Sequence, residues 1–349
     1  MTESANDLPI DTLGPYLAER IDDFGTLLSA EKFADGQSNP TFKLVTDRNQ
    51  FVLRRKPAGP VLPSAHAVGR EYRVMSALAD TAVPVPKMRL LCEDESVIGT
   101  IFFVMDFVNG EIHLDAQLKS IAEPGQRGAM YDQMNQVLAD LHSVDVDAVG
   151  LTDYGRPGNY FERQMNRWTR QYRAAETEQI PAMEQLLAWL PNNMPADDGR
   201  VSLIHGDYRL DNMIFTAGGS QVIALLDWEL STLGHPFSDL AYQCMQLHTP
   251  NDPALGNLSG LGGLDRSALG IPTEEEYVAA YCARMGLTEI PDWPFYLAFG
   301  FFRFAAILQG IMKRYEEGSA SSTQALTYGR MARPMAELAI AYLTAEQRL

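Results

Sequence analysis

Paired cysteines, a secretion leader, a glycine-rich nucleotide loop and an excess of positive charge are all missing from this sequence of 349 residues. Cys92, Cys244 and Cys282 are far apart and form no C-x-x-C pair, so neither a disulfide framework nor a zinc site is expected, and a reducing compartment fits. Met1 to Ile10 is polar and acidic, with no basic segment followed by an apolar one; no signal peptide is expected, and the cytoplasm is the default. The 28 Lys and Arg stand against 45 Asp and Glu, a net charge of −17. Phosphate backbones need a cationic surface, so nucleic acid is not an expected partner. The acidic excess serves solubility, and no substrate follows from charge alone. Neither G-x-x-x-x-G-K-[ST] nor G-x-G-x-x-G occurs, which disfavours P-loop and dinucleotide-binding sites. Internal repeats are absent.

What is present is a chain with 46% hydrophobic residues, enough for two lobes with a core each. From about residue 29 to 107 the pattern is strand-rich, with Thr41–Val45, Phe51–Arg54, Met88–Cys92 and Ile101–Phe107 separated by turns. One helix interrupts it, capped by Ser64, running through Glu71 and Leu78 and stopped before Pro84 and Pro86. After Asn109-Gly110 helical periodicities dominate, at about 128–142, 159–175, 179–190, 273–286, 293–316 and 330–346. Short apolar strands, Val201–Ile204, Met213–Phe215 and Val222–Leu226, lie among them. That order is α+β rather than alternating βαβ: a small antiparallel sheet with one helix (1–107), then a larger helical lobe (108–349), hinged at Asp106 to Gly110. Residues 250–271 read as one long loop. Phe295 to Met312 looks membrane-like, but Arg303 at its centre makes insertion unfavourable by roughly 3 kcal/mol. It is expected to be a buried helix, with no membrane partner.

The segment Leu203-Ile204-His205-Gly206-Asp207-Tyr208-Arg209-Leu210-Asp211-Asn212-Met213-Ile214 sets polar residues on a short loop between two apolar strands. Phosphoryl transfer to a hydroxyl needs a carboxylate to orient it and take its proton, a cation for the phosphate oxygens, and metal ligands. Asp207, Arg209 and Asn212 supply one of each, in the spacing of a kinase catalytic loop. Fifteen residues after Asn212, Asp227-Trp228-Glu229 closes an apolar strand, where a second carboxylate would chelate a metal. As turn caps the two acids would be ordinary; in this order, each beside an apolar strand, they read as a site.

H-G-D-x-x-x-x-N followed by hydrophobic-Asp-aromatic resembles the aminoglycoside phosphotransferase and choline kinase superfamily over nearly the whole chain. The resemblance implies a two-lobed protein-kinase-like fold and a small-molecule kinase using Mg²⁺ and ATP, with GTP left open. It also implies Asp207 as the base, Asn212 and Asp227 as metal ligands, and Arg209 in the place of the Lys that contacts the γ-phosphate. His205 is read as structural. Asp239 resembles a buried Asp that braces the catalytic loop, and His235 is read as a surface histidine where many relatives carry Asp.

The nucleotide lobe adds Gly36, Ser38 and Asn39, on a hairpin between strands whose backbone amides suit phosphate oxygens. Arg54 falls where the V-A-I-K pattern has its Lys, with Glu71 as partner, although Arg55 or Lys56 would also reach phosphates. Backbone groups of Asp106 and Val108 would bond the base. The chain lacks A-P-E after Asp227, and Glu229 stands in the place of the Gly of D-F-G, so a small-molecule hydroxyl acceptor is expected. Val52 to Pro57, Leu62 to Val68 and Arg70-Glu71-Tyr72 are similar to the kinase-like domain fused to certain acyl-CoA dehydrogenases, though the dehydrogenase is not in this sequence. That branch suggests a hydroxyacyl-CoA or hydroxy acid acceptor. Arg54, Arg55, Lys56, Arg70 and Arg73 form a basic island suited to an anionic ligand. Alternatives are an aminoglycoside phosphotransferase, a nucleotide-binding pseudokinase, which intact Asp207, Asn212 and Asp227 disfavour, and a metal-dependent hydrolase, for which paired His ligands are wanting. Monomer and homodimer are equally compatible with the sequence.

Overall fold

The structure, a computed structural model, describes residues 8–33, 39–57, 68–320 and 324–349. The chain divides into two compact units: one runs to Gly110 and takes in Ile223–Leu230, and the other comprises Glu111–Val222 and Ser231–Leu349. The first boundary falls three residues beyond the expected 107, and the Asp227 segment, expected in the second lobe, belongs to the first unit. Local packing accounts for that. The Leu225 N–H bonds the Pro84 carbonyl at 2.8 Å, and Trp228 is fully buried with its indole N–H on the Leu225 carbonyl at 2.9 Å.

In the first unit α1 (Ile10–Ala18) precedes β1 (Leu27–Lys32), β2 (Thr41–Thr46), β3 (Gln50–Arg55), α2 (Val68–Leu78), β4 (Met88–Cys92) and β5 (Phe102–Asp106). The antiparallel sheet has the order β1-β2-β3-β5-β4. Strand alternation sends Phe42, Leu44, Phe51, Leu53, Phe102 and Val104 into one core with Leu13 and Leu17 of α1. The sequence pattern misses α1 and β1, so the expected single helix becomes two. Gly14 and Pro15 break the helical periodicity of a nine-residue helix, and only Leu27 is buried in β1. Ser64, expected as the cap of α2, lies outside the described residues.

The second part of the chain continues with α3 (Pro124–His142), α4 (Tyr160–Ala175), α5 (Pro181–Asn192), β6 (Ser202–Ile204), β7 (Met213–Phe215) and β8 (Val222–Leu225), the last leading into the first unit. Then come β9 (Thr232–Gly234), α6 (Phe237–His248), α7 (Arg266–Leu269), α8 (Glu274–Met285), α9 (Trp293–Glu316), α10 (Ala325–Arg330) and α11 (Ala332–Ala345). β6 and β9 pair antiparallel, and α4, α5, α6, α10 and α11 all pack on α9. Among the described residues α9 is the one helix long and apolar enough to cross a membrane, yet 72% of its most apolar window is buried within the protein. Residues 250–271 are irregular except for a 3₁₀ segment, Pro253–Leu258, and α7.

Candidate active site

In the second unit, the loop from His205 to Asn212 leaves β6 and returns through β7. Gly206 takes φ +83°, a left-handed backbone that glycine adopts without strain. Asp239, fully buried in the first turn of α6, holds this turn. Its Oδ2 accepts the His205 N–H at 2.6 Å and its Oδ1 the Gly206 N–H at 2.9 Å, with His142 Nε2 3.5 Å away. Burial pushes the Asp239 carboxyl up, but His142 and the His205 N–H outweigh it and hold it below its ordinary value. The loop is pinned again where the Tyr208 hydroxyl bonds the Met134 carbonyl at 2.6 Å.

On this frame Asn212 Nδ2 donates to both the Asp207 carbonyl, at 2.9 Å, and Asp207 Oδ2, at 3.0 Å. The amide thereby aims the carboxylate and leaves its own Oδ1 for another partner. Tyr242 of α6 feels the same carboxylate: burial first, and then the negative charge of Asp207, push its phenol up. Arg209 turns back to Asp211, Nε to Oδ1 at 2.5 Å. Burial lowers the Arg209 pKa, and the charge of Asp211 more than restores it. Arg303 of α9 donates from Nη2 to the Gly206 carbonyl at 2.8 Å. His235 is not at the surface. It is 4% exposed, stacked on Tyr296 at 5.6 Å with Asp198 3.3 Å from its Nε2, because the start of α6 packs into the aromatic cluster of Phe161, Phe237 and Tyr296. Burial lowers its pKa, although Asp198 pulls it back up.

The first unit gathers acids around one cation. Strand alternation places Arg54 and Arg55 on opposite faces of β3: Arg55 lies 5.4 Å from the Phe42 ring centre, while Arg54 meets Glu71 of α2. Arg54 Nε is 3.2 Å from Glu71 Oε2, and Nη2 is 2.8 Å from Asp227 Oδ1 and 3.6 Å from Glu229 Oε2. Asn39 Nδ2 donates to Glu71 Oε1 at 3.0 Å. Burial pushes the Glu71 carboxyl up to about 8 against the pull of Arg54. Asp227 adopts φ +62°, a left-handed backbone that Asp tolerates at modest strain, and it keeps 35% of its side chain exposed.

Gly36 and Ser38 lie outside the described residues. The Asp106 carboxylate is bound by Arg89 at 2.6 and 2.9 Å, and its N–H by the Lys87 carbonyl; any bond from Asp106 to a base would come from its carbonyl. Val108 is half-buried. In the first unit the Asp227 carboxylate, and in the second the Asn212 Oδ1, are each the kind of oxygen donor that a hard divalent cation takes. Among the described residues no three His, Cys, Asp or Glu side chains form a metal-binding group. A separate cavity of about 790 Å³, lined by Asn159, Met165, Arg173, His235 and Tyr296 among others, includes neither Asp207 nor Asn212. In the second unit, Tyr242 and Arg303 are neighbours of the Asp207 loop that sequence reasoning missed. Only Arg303 left a signal, as a cation in the middle of an apolar helix.

The family described as "Phosphotransferase enzyme family" matches residues 29–295. Acyl-CoA dehydrogenase family member 10 of Mus musculus is 48% identical over 97% of the chain, and family member 11 of Gallus gallus is 45% identical over 89%. The chain spans 31% and 40% of the length of those two relatives. A crystal structure from Ralstonia eutropha JMP134, described as a candidate aminoglycoside phosphotransferase, is 50% identical with a TM-score of 0.88, covering 97% of this chain and 99% of that one. The fold is therefore the expected α+β, protein-kinase-like one.

Proposed function

The chain belongs to the phosphotransferase enzyme family, and from that premise we propose that it transfers the γ-phosphate of ATP, with Mg²⁺, to the hydroxyl of a hydroxyacyl-CoA or related hydroxy acid. The observation that carries the chemistry is the Asp207 carboxylate held by Asn212 Nδ2 on a loop braced by buried Asp239. Asp207 accepts the acceptor hydroxyl's hydrogen bond and takes its proton as the new P–O bond forms and the bond to the β-phosphate oxygen breaks. Asn212 keeps the carboxylate aimed throughout. Asn212 Oδ1 and Asp227 would hold the metal, which when bound neutralises charge on the phosphate oxygens. Arg54, bridging Glu71, Asp227 and Glu229, orients the acid that holds the metal.

The acceptor class is supported by the relatives, named as acyl-CoA dehydrogenase family members, in which this sequence forms under half of the chain. The basic island lends it less than expected, since Arg54 is engaged by three carboxylates and Arg55 lies against Phe42. The test is to incubate the protein with MgATP and each acceptor class, following ADP release and, by mass spectrometry, addition of one phosphate. Phosphorylation of hydroxyacyl compounds ahead of kanamycin-like aminoglycosides is expected. Efficient phosphorylation of aminoglycosides with none of any hydroxyacyl compound would overturn the acceptor and leave the phosphotransferase standing.

A further inference from the structure

Arg303 sits at the middle of α9, between buried Phe302 and half-buried Phe304. The Arg303 side chain is half-buried, and partial desolvation of a cation is unfavourable unless something offsets it. What the fold supplies is one neutral acceptor, the Gly206 carbonyl at 2.8 Å, and two aromatic faces. The guanidinium carbon is 5.6 Å from the Trp168 ring centre and 5.4 Å from that of Tyr242. Among the described residues Arg303 has no carboxylate within ion-pair distance, whereas Arg54, Arg89, Arg173, Arg209 and Arg284 each have one or more. In a chain with 45 acids and 28 bases a partner would be easy to provide. Aromatic faces hold a guanidinium in place without neutralising it, and the planar fork keeps donors for a second oxygen ligand. The location is specific. Gly206, whose carbonyl takes the Arg303 bond, directly precedes Asp207, and Tyr242 is one of the two flanking rings.

We propose that Arg303, held between Trp168 and Tyr242 beside Asp207, selects the acceptor by binding its carbonyl-type oxygen, a carboxylate or a thioester C=O, a few bonds from the hydroxyl that Asp207 deprotonates. The inference rests on the acceptor class proposed above. Charge-assisted bonds of this kind raise affinity for acceptors that carry the oxygen and do nothing for acceptors that lack it.

The experiment compares three acceptor sets under MgATP: hydroxy acids with the hydroxyl on carbon 3 or 4, their CoA thioesters, and matched diols without the carbonyl. The readout is the ratio of kcat/KM for each carbonyl compound to that for its diol. Arg303→Gln is expected to lower that ratio at least about tenfold, chiefly through KM, and Arg303→Lys, which keeps a charge but not the fork, to lower it by a smaller factor. The acid and thioester arms tell which oxygen Arg303 takes. If Arg303→Gln lowers both members of each pair alike, Arg303 only braces Gly206 and the inference is overturned while the acceptor class stands. If the unsubstituted protein phosphorylates neither acid nor thioester, the acceptor class fails and the inference falls with it. Should Arg303→Gln not fold, Arg303→Lys decides alone, since an unchanged ratio there also overturns the assignment.

Discussion

Asp207 and Asp227 are both carboxylates next to short apolar strands, and their surroundings are built on opposite plans. Around Asp227 the geometry comes from side-chain charge. One guanidinium, Arg54, collects acids from α2 and from the turn after β8, where Asp227 lies 173 residues away in sequence. Around Asp207 it comes from the backbone: a buried aspartate takes two loop N–H groups, and the nearest polar aid, Asn212, is five residues away. The first plan is adjustable, because ion pairs can exchange partners when a cation or phosphate arrives. The second is rigid, because orphaning a buried N–H costs about 1–3 kcal/mol. A base that must meet a hydroxyl at fixed distance suits rigidity, whereas an acid that must accept and release a metal complex suits exchange.

The largest effect should come from the rigid side. Asp207→Asn is nearly isosteric but accepts no proton, and turnover is expected to fall at least about a hundredfold with nucleotide affinity largely kept. An active variant in a steady-state ADP-release assay would remove Asp207 as the base and leave the rigid loop without a purpose. On the exchangeable side, Asp227→Ala removes the proposed charged metal ligand while Glu71 stays with Arg54. Mg²⁺-dependent ATP binding, read by calorimetry, is expected to weaken by about a hundredfold; unchanged MgATP affinity would sink the metal role.

The two plans also account for what could be read from the sequence. The rigid loop is local, so Asp207, Asn212 and their spacing are visible in six consecutive residues, whereas Asp239 was reached only through the family resemblance. Arg54 with Glu71 was legible through the V-A-I-K position and the helix that follows, with Arg55 and Lys56 left as alternatives. The link from Arg54 to Asp227 and Glu229 was not, because no local periodicity joins β3 to a turn so far along the chain. Tyr242, Trp168 and Arg303 lie on three different helices, and each looks like an ordinary helix residue alone. Arg303 was noticed only as an obstacle to membrane insertion. His235 misled because a histidine beside Gly and Pro reads as a turn residue, while the ring packing that buries it comes from α4 and α9.

A smaller effect tests whether Asp239 is the brace. Asp239→Asn keeps one acceptor but places an NH₂ against a loop N–H, and the protein is expected to lose about 2 kcal/mol of unfolding free energy at neutral pH, measured by urea titration. The sign with pH follows from the carboxyl lying below its ordinary 3.8 in the folded protein. Its contribution is present above 3.8 and is lost as pH falls through the folded value, so the gap between the unsubstituted protein and the variant should narrow only in acid. A gap that is already absent at pH 7 would mean that the loop holds itself and the contrast with Asp227 is false.

The smallest expected effect comes from Arg54→Lys, which separates charge from geometry on the exchangeable side. An ammonium keeps the positive charge but is a single point, and it cannot face Glu71 through one nitrogen while reaching Asp227 and Glu229 through another. Glu71 is nearly fully buried and still has Asn39, so the ammonium is expected to stay with Glu71 and release the two more exposed acids. Asp227 then loses its orientation rather than its ligand atoms, and MgATP affinity should fall by about tenfold, less than for Asp227→Ala, because the metal can still recruit a mobile carboxylate. Calorimetry at two Mg²⁺ concentrations checks this: raising Mg²⁺ should recover part of the loss in Arg54→Lys and none in Asp227→Ala. If the two variants respond alike to Mg²⁺, Arg54 contributes more than orientation, and the division between an exchangeable and a rigid carboxylate has to be redrawn around Arg54 itself.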